Sequence, residues 1–161
     1  MSHRHLLSIL ALVLLVGCGG DGETETTTST TSGASTPSAT ASLTFNAVEA
    51  PSIEYLEGEP AVTKECDDLG WVEDETEKKE LAPFTGTTTV EVLACDGVPY
   101  VAYLEYEDAG AVDDGLAGAL LPYLQEDTTV LMPLIGLDEK IATNYLQTLE
   151  EDCGCGELVE P

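Results

Sequence analysis

The sequence predicts an α+β domain: a small, mostly antiparallel sheet with a central hairpin at about 87–106 and two or three helices, stabilised by disulfide bonds. Three observations carry this prediction. Two β-rich runs meet at Asp96-Gly97, a dipeptide typical of tight hairpin turns. Apolar residues recur at helical spacing after residue 136. Four cysteines lie beyond residue 65.

The hairpin prediction has a defined register. With a two-residue turn, Cys95 pairs with Val98, and Val92 pairs with Val101. Both faces are then largely apolar, so we expect the hairpin to lie in the centre of the sheet, covered on each side. Pro99 lies just past the turn, where a missing backbone donor is tolerable.

The segment before the hairpin has weaker patterns. We predict short strands at LTFNAVEA (43–50) and SIEYLEG (52–58). A helix is predicted to begin with Pro60 at its first turn. The charged run VEDETEKKEL (72–81) predicts a solvated helix or loop.

After the hairpin, a helix and a strand are predicted. One face of the helix carries Leu116, Leu120 and Leu124, which are four residues apart. Pro122 should kink or break this helix. The run TTVLMPLIG (128–136) predicts a strand, in which Pro133 favours an edge position.

The last helix is predicted over LDEKIATNYLQTLEED (137–152). Asp138 is a favourable N-cap, and Gly154 and Gly156 are expected to end the helix. One face of this helix is apolar and carries Leu137, Ile141, Tyr145 and Leu149.

The beginning of the chain has the organisation of a secretory signal. After a basic start, the run from Leu6 to Val16 contains a single polar residue, Ser8. This run is too short to span a bilayer, which takes about 20 apolar residues. It ends in Leu15-Val16-Gly17-Cys18, which resembles the lipobox of prokaryotic lipoproteins.

The resemblance implies that a peptidase cuts before Cys18 and that this cysteine then carries acyl chains. Two or more chains anchor a protein stably, so we expect an extracytoplasmic protein held on a membrane without spanning it. Because Gly19 follows the cysteine, the choice between the cell membrane and the outer membrane stays open. The alternative is an ordinary signal peptide in which Cys18 is incidental.

Three regions are predicted along the chain: a signal peptide at 1–17, a lipidated cysteine and tether at 18–44, and a single acidic domain at 45–161. Within 24–44, 14 of 21 residues are Ser or Thr. Such a segment cannot bury enough apolar surface to offset its chain entropy, so we expect it to be disordered.

Charge excludes several functions for the predicted domain. It contains 28 Asp and Glu against four Lys, a net charge of −24, with no Arg and no His. Without His there is no Ser-His or Cys-His catalytic pair, so we lean towards a protein that is not an enzyme. With so few cations, binding to nucleic acid is not expected. Either adaptation to high salt or binding of cationic partners explains the charge.

The cysteines form an even set once Cys18 is assigned to lipid. Outside the cytoplasm, Cys66, Cys95, Cys153 and Cys155 predict two disulfides. We favour Cys66 and Cys95 each joined to one member of the C-terminal pair, although a short Cys153–Cys155 ring is feasible. A four-thiolate metal site and a redox-active C-G-C pair are the alternatives, and neighbouring acids disfavour the reactive thiolate.

Calcium is the natural cation to consider for so acidic a domain. The nearest approach to a calcium loop is Glu105 to Gly115, with the weak candidate ligands Glu105, Glu107, Asp108, Asp113 and Asp114. The segment does not fit a complete loop pattern, so a solvated acidic loop is the competing interpretation. No other cofactor is predicted.

These observations predict a membrane-anchored, monomeric lipoprotein with a small non-catalytic binding or accessory domain. Its ligand is unknown, and another envelope protein or a cationic ligand fits the charge. The alternatives are a calcium-binding surface protein and a thiol-redox or metal protein that uses Cys153 and Cys155.

Overall fold

The computed structural model describes residues 41–161. The predicted signal peptide, the lipobox with Cys18 and all but the last four residues of the predicted tether lie outside the described residues. One six-stranded sheet forms, and every strand pair in it is antiparallel. The predicted α+β class is therefore confirmed. Residues 41–161 contain five helices rather than the predicted two or three. Three of the five span only four to seven residues and carry no apolar stripe, so the sequence pattern does not reveal them.

The helices are α1 (Phe45–Glu57), α2 (Pro60–Thr63), α3 (Glu75–Leu81), α4 (Ala109–Gly115) and α5 (Glu139–Cys153). The strands are β1 (Leu69–Trp71), β2 (Thr87–Cys95), β3 (Val98–Tyr106), β4 (Tyr123–Glu126), β5 (Thr129–Pro133) and β6 (Glu157–Val159). Their order across the sheet is β1-β2-β3-β5-β4-β6, so β1 and β6 are the edges.

Strands β2 and β3 form the predicted hairpin in the interior of the sheet. Cys95 pairs with Val98 across Asp96-Gly97, as predicted. Both turn residues have positive φ, 49° and 79°. This backbone matches the right-handed twist of the flanking strands, which explains why Asp-Gly predicts the turn so well.

The register beyond the turn differs from the prediction. Val92 pairs with Ala102 rather than with Val101, because β3 contains one extra residue at Tyr100. The irregularity lies next to Pro99, which has no N–H to donate to the ladder. The bulge places Tyr100 and Val101 in the same core cluster.

The first helix occupies a segment for which the sequence predicts two short strands, and that prediction is wrong. Every fourth residue of the inward side of α1 is buried: Val48, Ser52 and Leu56. A polar serine within this stripe and Pro51 inside the helix concealed the helical period. Leu43, which the sequence assigns to the tether, is 2% exposed and packs in the same core.

The predicted leucine helix after the hairpin is also wrong. Helix α4 ends before Leu116, and Leu124 lies in β4. Gly118 has a φ of 95°, which no helix contains, and Pro122 cannot continue a helical ladder. The chain from 116 to 122 therefore leaves the helix and crosses to β4 as a loop.

Strand β5 lies between β3 and β4, so the predicted edge position for this strand is wrong. Pro133 is tolerated because the pairing with β4 ends at Leu131. One side of Pro133 therefore has no neighbouring strand that needs a donor.

Helix α5 forms as predicted. The Asp138 carboxylate accepts hydrogen bonds from the backbone N–H groups of Lys140 and Ile141, at 3.0 and 3.4 Å. Gly154 ends the helix with a φ of 60°, a conformation that glycine adopts without a steric penalty.

Two cores lie on opposite faces of the sheet. The helix-covered face packs against α1 and α5 and contains Leu56, Leu93, Tyr103, Tyr145 and Leu146. The loop-covered face packs against α4 and the loop that follows it, and contains Val92, Leu104, Val112, Leu116 and Met132. Among residues 41–161, no helix combines the length and the apolar character that crossing a bilayer requires.

Candidate functional site

The four cysteines predicted to form disulfides form two bridges, one near each edge of the sheet. Cys66 bonds to Cys95, with Cα atoms 5.7 Å apart, and Cys153 bonds to Cys155, with Cα atoms 5.2 Å apart. The predicted connectivity between the two ends is therefore wrong. Pairing of β1 with β2 brings Cys66 to Cys95 at one edge, whereas the C-terminal pair lies beside β6 at the other.

Disulfide formation changes what these cysteines can ligate. Ligand atoms of Cys66, Cys95 and Asp96 lie within 4.8 Å of one another, the one such group of three found in residues 41–161. Since both sulfur atoms are in the bridge, only the Asp96 carboxylate is available as a metal ligand in this state. In the second bridge Cys155 is 1% exposed, whereas Cys153 is half-buried.

Two of the calcium candidates already serve the fold. The Glu105 carboxylate accepts hydrogen bonds from the hydroxyls of Thr89 and Tyr103, at 2.6 and 2.9 Å. Asp108 caps α4 by accepting from the backbone N–H of Ala111 at 2.9 Å. Burial and the hydrogen bond to Glu105 together raise the pKa of Tyr103 to about 12.

The other three candidates, Glu107, Asp113 and Asp114, are exposed. The five acids do not form a converging ligand group within residues 41–161. Calcium needs six to eight oxygens converging on one point, so proximity in sequence alone does not build a site here. Calcium binding stays a prediction.

An apolar groove lies on the loop-covered face, between the 115–121 loop and the 132–135 segment at the end of β5. The space between these walls is about 320 Å³. Apolar side chains dominate its lining, and they include Phe84, Leu116, Leu120, Leu121, Met132 and Ile135. This volume is near the lower end of the range for ligand sites, which suits a few side chains of a partner better than a large cofactor.

Two side chains at the groove are strongly exposed. Leu120 is 87% exposed and Ile135 is 93% exposed, whereas Leu116, in the same loop as Leu120, is 7% exposed. A scattered apolar residue on a surface is ordinary, but a pair that shares a concave apolar lining forms a contiguous patch. Such patches mark binding surfaces.

The segment that carries Ile135 is fixed by the bulge in β3. The backbone N–H groups of Leu134 and Gly136 donate to the carbonyl oxygens of Tyr100 and Pro99, at 2.7 and 3.1 Å. A Cβ on Gly136 would lie 2.6 Å from Val98 Cγ1, so only glycine allows this approach. The exposure of Ile135 is therefore set by a hydrogen-bonded backbone.

The opposite wall approaches the core at Gly115. A Cβ at this position would lie 2.6 Å from Tyr106 Cε1 and 2.9 Å from the carbonyl oxygen of Thr85. The Tyr106 hydroxyl is buried and has no hydrogen-bond partner among the described residues. Burial raises the pKa of Tyr106, and Tyr123 adds to the effect.

Four exposed carboxylates lie next to the groove residues in the chain or line an adjoining hollow, and we name Asp113, Asp114, Glu139 and Glu160 the acidic rim. Asp113 and Asp114 immediately precede the groove residue Gly115, and both are exposed. Glu139 and Glu160 line an adjoining hollow that shares Leu120 with the groove.

The sequence does not reveal the groove, because the leucine spacing in its loop resembles the continuation of a helix. Gly118 and Pro122 were the available signals, since both oppose a helix at these positions. Comparison of the chain with protein-family models, with curated proteins and with solved structures gives no significant match in any of the three.

Proposed function

We propose that this protein is a lipid-anchored, extracytoplasmic binding protein. In this proposal Cys18 carries the lipid, the Ser/Thr-rich segment separates the membrane from the domain, and the domain binds a partner protein through the apolar groove. The lipobox resemblance supports the anchor. The exposure of Leu120 and Ile135 beside the groove is the observation that carries the binding role.

Burial of Leu120 and Ile135 by a partner would be energetically favourable. Burying an apolar side chain of this size contributes about 1.5–3 kcal/mol relative to leaving it in water. Leu120 and Ile135 forgo that contribution in the isolated domain, although Leu116 in the same loop obtains it. A partner that covers both side chains would recover it, which is the usual reason for an apolar patch on an acidic surface.

A binding role fits the chemistry of the titrating groups better than catalysis does. Burial is the first cause of the raised pKa values of Tyr55, Tyr103, Tyr106 and Tyr145. Burial would lower the pKa of Lys78, but the hydrogen bonds that its ammonium group donates to Glu75 and Glu91 outweigh burial and raise it. The pKa of Asp74 is lowered by the backbone N–H groups it caps. Each of these shifts has a structural cause in the fold.

The anchor is tested by intact mass and detergent partition of the full chain produced in a bacterium that acylates lipoproteins. The expected mature mass begins at Cys18 and includes acyl chains, and the protein enters the detergent phase. Cys18→Ser should abolish both properties, whereas the neighbouring change Gly22→Ser should preserve them. A native protein without acyl chains would overturn the anchor.

The groove is tested by photo-cross-linking in cells that produce the protein. A photoreactive residue at position 120 or 135 is expected to give the same discrete cross-linked product. The matched control is position 147, an exposed residue of α5 on the other side of the domain. Absence of a product from both groove positions, or the same product from the control, would overturn the binding role of the groove.

A further inference from the structure

The surroundings of the groove restrict the chemistry of its occupant. All four carboxylates of the acidic rim are exposed, so their charges act on anything that approaches the groove. The domain as a whole carries 28 acids against four lysines. An occupant must therefore combine apolar contact with positive charge, or enter against the field of the domain.

The lysines of the domain do little to neutralise this field near the groove. Lys78 is buried, and its ammonium group lies 2.7 Å from a carboxylate oxygen of each of Glu75 and Glu91. Lys140 lines a hollow together with Asp138 and the rim residue Glu139. Among residues 41–161, however, both lysine–carboxylate ion pairs belong to Lys78, so no rim carboxylate is paired with a lysine. The rim carboxylates are thus open to cations supplied by a partner.

We propose that the groove binds an amphipathic cationic segment of a partner protein. One or two apolar side chains of that segment fill the groove between Leu120 and Ile135, and flanking Lys or Arg side chains pair with the acidic rim. This inference rests on the proposed binding function and specifies its partner. The apolar contact supplies affinity, and the rim selects for charge and accelerates association.

Charge also argues against the other candidate occupants. A second copy of the 45–161 domain would bring a further net charge of −24 towards an already acidic domain. An anionic lipid surface would be repelled in the same way. A cationic segment is the occupant for which the apolar lining and the rim act together.

The test uses the full chain in phosphatidylcholine nanodiscs, with empty nanodiscs as the reference. Three acetylated, amidated peptides of about eight residues serve as probes, long enough to place two anchors in a groove. The first combines Leu and Lys, the second replaces each Lys by Glu, and the third replaces each Leu by Ser. The Leu/Lys peptide is expected to bind at least about tenfold more tightly than either of the others.

Two pairs of variants locate the binding. Leu120→Ser with Ile135→Ser is expected to weaken the Leu/Lys peptide by about tenfold or more, because both apolar contacts are lost. Both side chains are exposed, so the fold should tolerate these changes. Glu139→Gln with Glu160→Gln should weaken binding by about three- to tenfold and reduce its dependence on salt. The matched control, Glu54→Gln with Glu57→Gln, removes the same charge from exposed positions of α1 on the helix-covered face and should change affinity by less than about twofold.

Each contrary outcome has a distinct meaning. Equal binding of the Leu/Glu peptide would overturn the cationic partner but leave the groove as a binding site. An equal loss in the Glu54/Glu57 control would show that net charge alone attracts the peptide, which overturns the role of the rim. Self-association that Leu120→Ser abolishes would identify a second copy as the occupant and overturn this inference. Photo-cross-linking judges the binding function separately.

Discussion

The two faces of the sheet solve the same packing problem with different elements. On the helix-covered face, helices of 13 and 15 residues bury large side chains completely, including Tyr145, Leu146 and Leu56. On the loop-covered face, a core that includes Val92, Leu104 and Met132 packs against a seven-residue helix and an irregular loop, and part of the surface stays apolar and open.

This difference separates stability from binding. A long amphipathic helix buries a continuous stripe, so it leaves few apolar atoms for a partner. A loop held by glycines follows the sheet less closely, and side chains that point away from the core stay in solvent. We therefore expect substitutions on the helix-covered face to affect folding, and substitutions at the groove to affect binding.

The largest effect is expected from a matched pair of Leu→Ala changes. Leu146 of α5 is fully buried, whereas Leu120 is 87% exposed at the groove. Leu146→Ala should lower the free energy of unfolding by about 2–5 kcal/mol, because it removes buried methyl groups and leaves a cavity. Leu120→Ala should change it by less than about 0.5 kcal/mol. Urea denaturation measures both, and a comparable loss for Leu120→Ala would break the distinction between the faces.

Alkaline pH is the next strongest probe of the helix-covered face. Burial and Glu105 raise the pKa of Tyr103 to about 12. Burial also raises the pKa of Tyr145, and the hydrogen bond between Tyr145 and Ser52 offsets only part of this rise. In the unfolded chain both tyrosines titrate near 10, so above that pH the unfolded state binds fewer protons and is favoured.

The free energy of unfolding should therefore decline as pH rises from about 10 to about 12, by up to about 1.4 kcal/mol per pH unit for each tyrosine. Urea denaturation at a series of pH values, combined with the absorbance of phenolate in the folded protein, measures this decline. Titration of all six tyrosines of the folded protein together, at the pH of free tyrosine, would contradict the prediction.

A pair of Gly→Ala changes probes how the groove wall is held. At Gly115 a new Cβ would collide with Tyr106 and with the backbone of Thr85, whereas at Gly70 in β1 it would meet no atom within 4 Å. Gly115→Ala should lower the free energy of unfolding by about 1–3 kcal/mol and disturb peptide binding. Gly70→Ala should be close to neutral or mildly stabilising. Thermal unfolding of both variants measures the contrast, and equal melting temperatures would rule out a tightly held wall.

The smallest effects come from two Tyr→Phe changes that remove one hydroxyl on each face. The Tyr145 hydroxyl shares a buried hydrogen bond with Ser52, which joins α1 to α5. Tyr145→Phe leaves that serine without a partner and should cost about 1–2 kcal/mol. Tyr106→Phe removes a buried hydroxyl that has no partner among the described residues, so it should be neutral or slightly stabilising. Calorimetry of both variants measures the contrast. A larger loss of stability in Tyr106→Phe than in Tyr145→Phe would contradict the prediction.

The accuracy of the sequence predictions depended on how local their causes were. The Asp96-Gly97 turn and the Asp138 cap form from contacts within a few residues, and both were predicted correctly. The register of β3 depended on a bulge beside Pro99, and the helix at 45–57 depended on burial of Ser52 against a distant tyrosine. Neither the bulge nor the contact between Ser52 and Tyr145 leaves a periodic signal in the sequence.

The candidate site followed the same rule. The acidic residues, the cysteines and the lack of His and Arg were all visible in the sequence, and they limited the chemistry of the domain. Which cysteines pair depended on strand order, because β1 and β6 lie at opposite edges of the sheet. The groove depends on where the chain leaves α4, because that point decides that Leu120 and Ile135 line the same groove.

The sequence by itself determined the α+β class, the central hairpin, the last helix and the charge of the domain, because these follow from local conformational preference and composition. Tertiary structure alone decided the disulfide pairing, the register beyond the bulge and the division of the apolar residues between a closed face and an open one. The division between the faces arises from packing between residues far apart in the chain. The strand order places the two cysteine pairs at opposite edges of the sheet, so each cysteine bonds within its own pair.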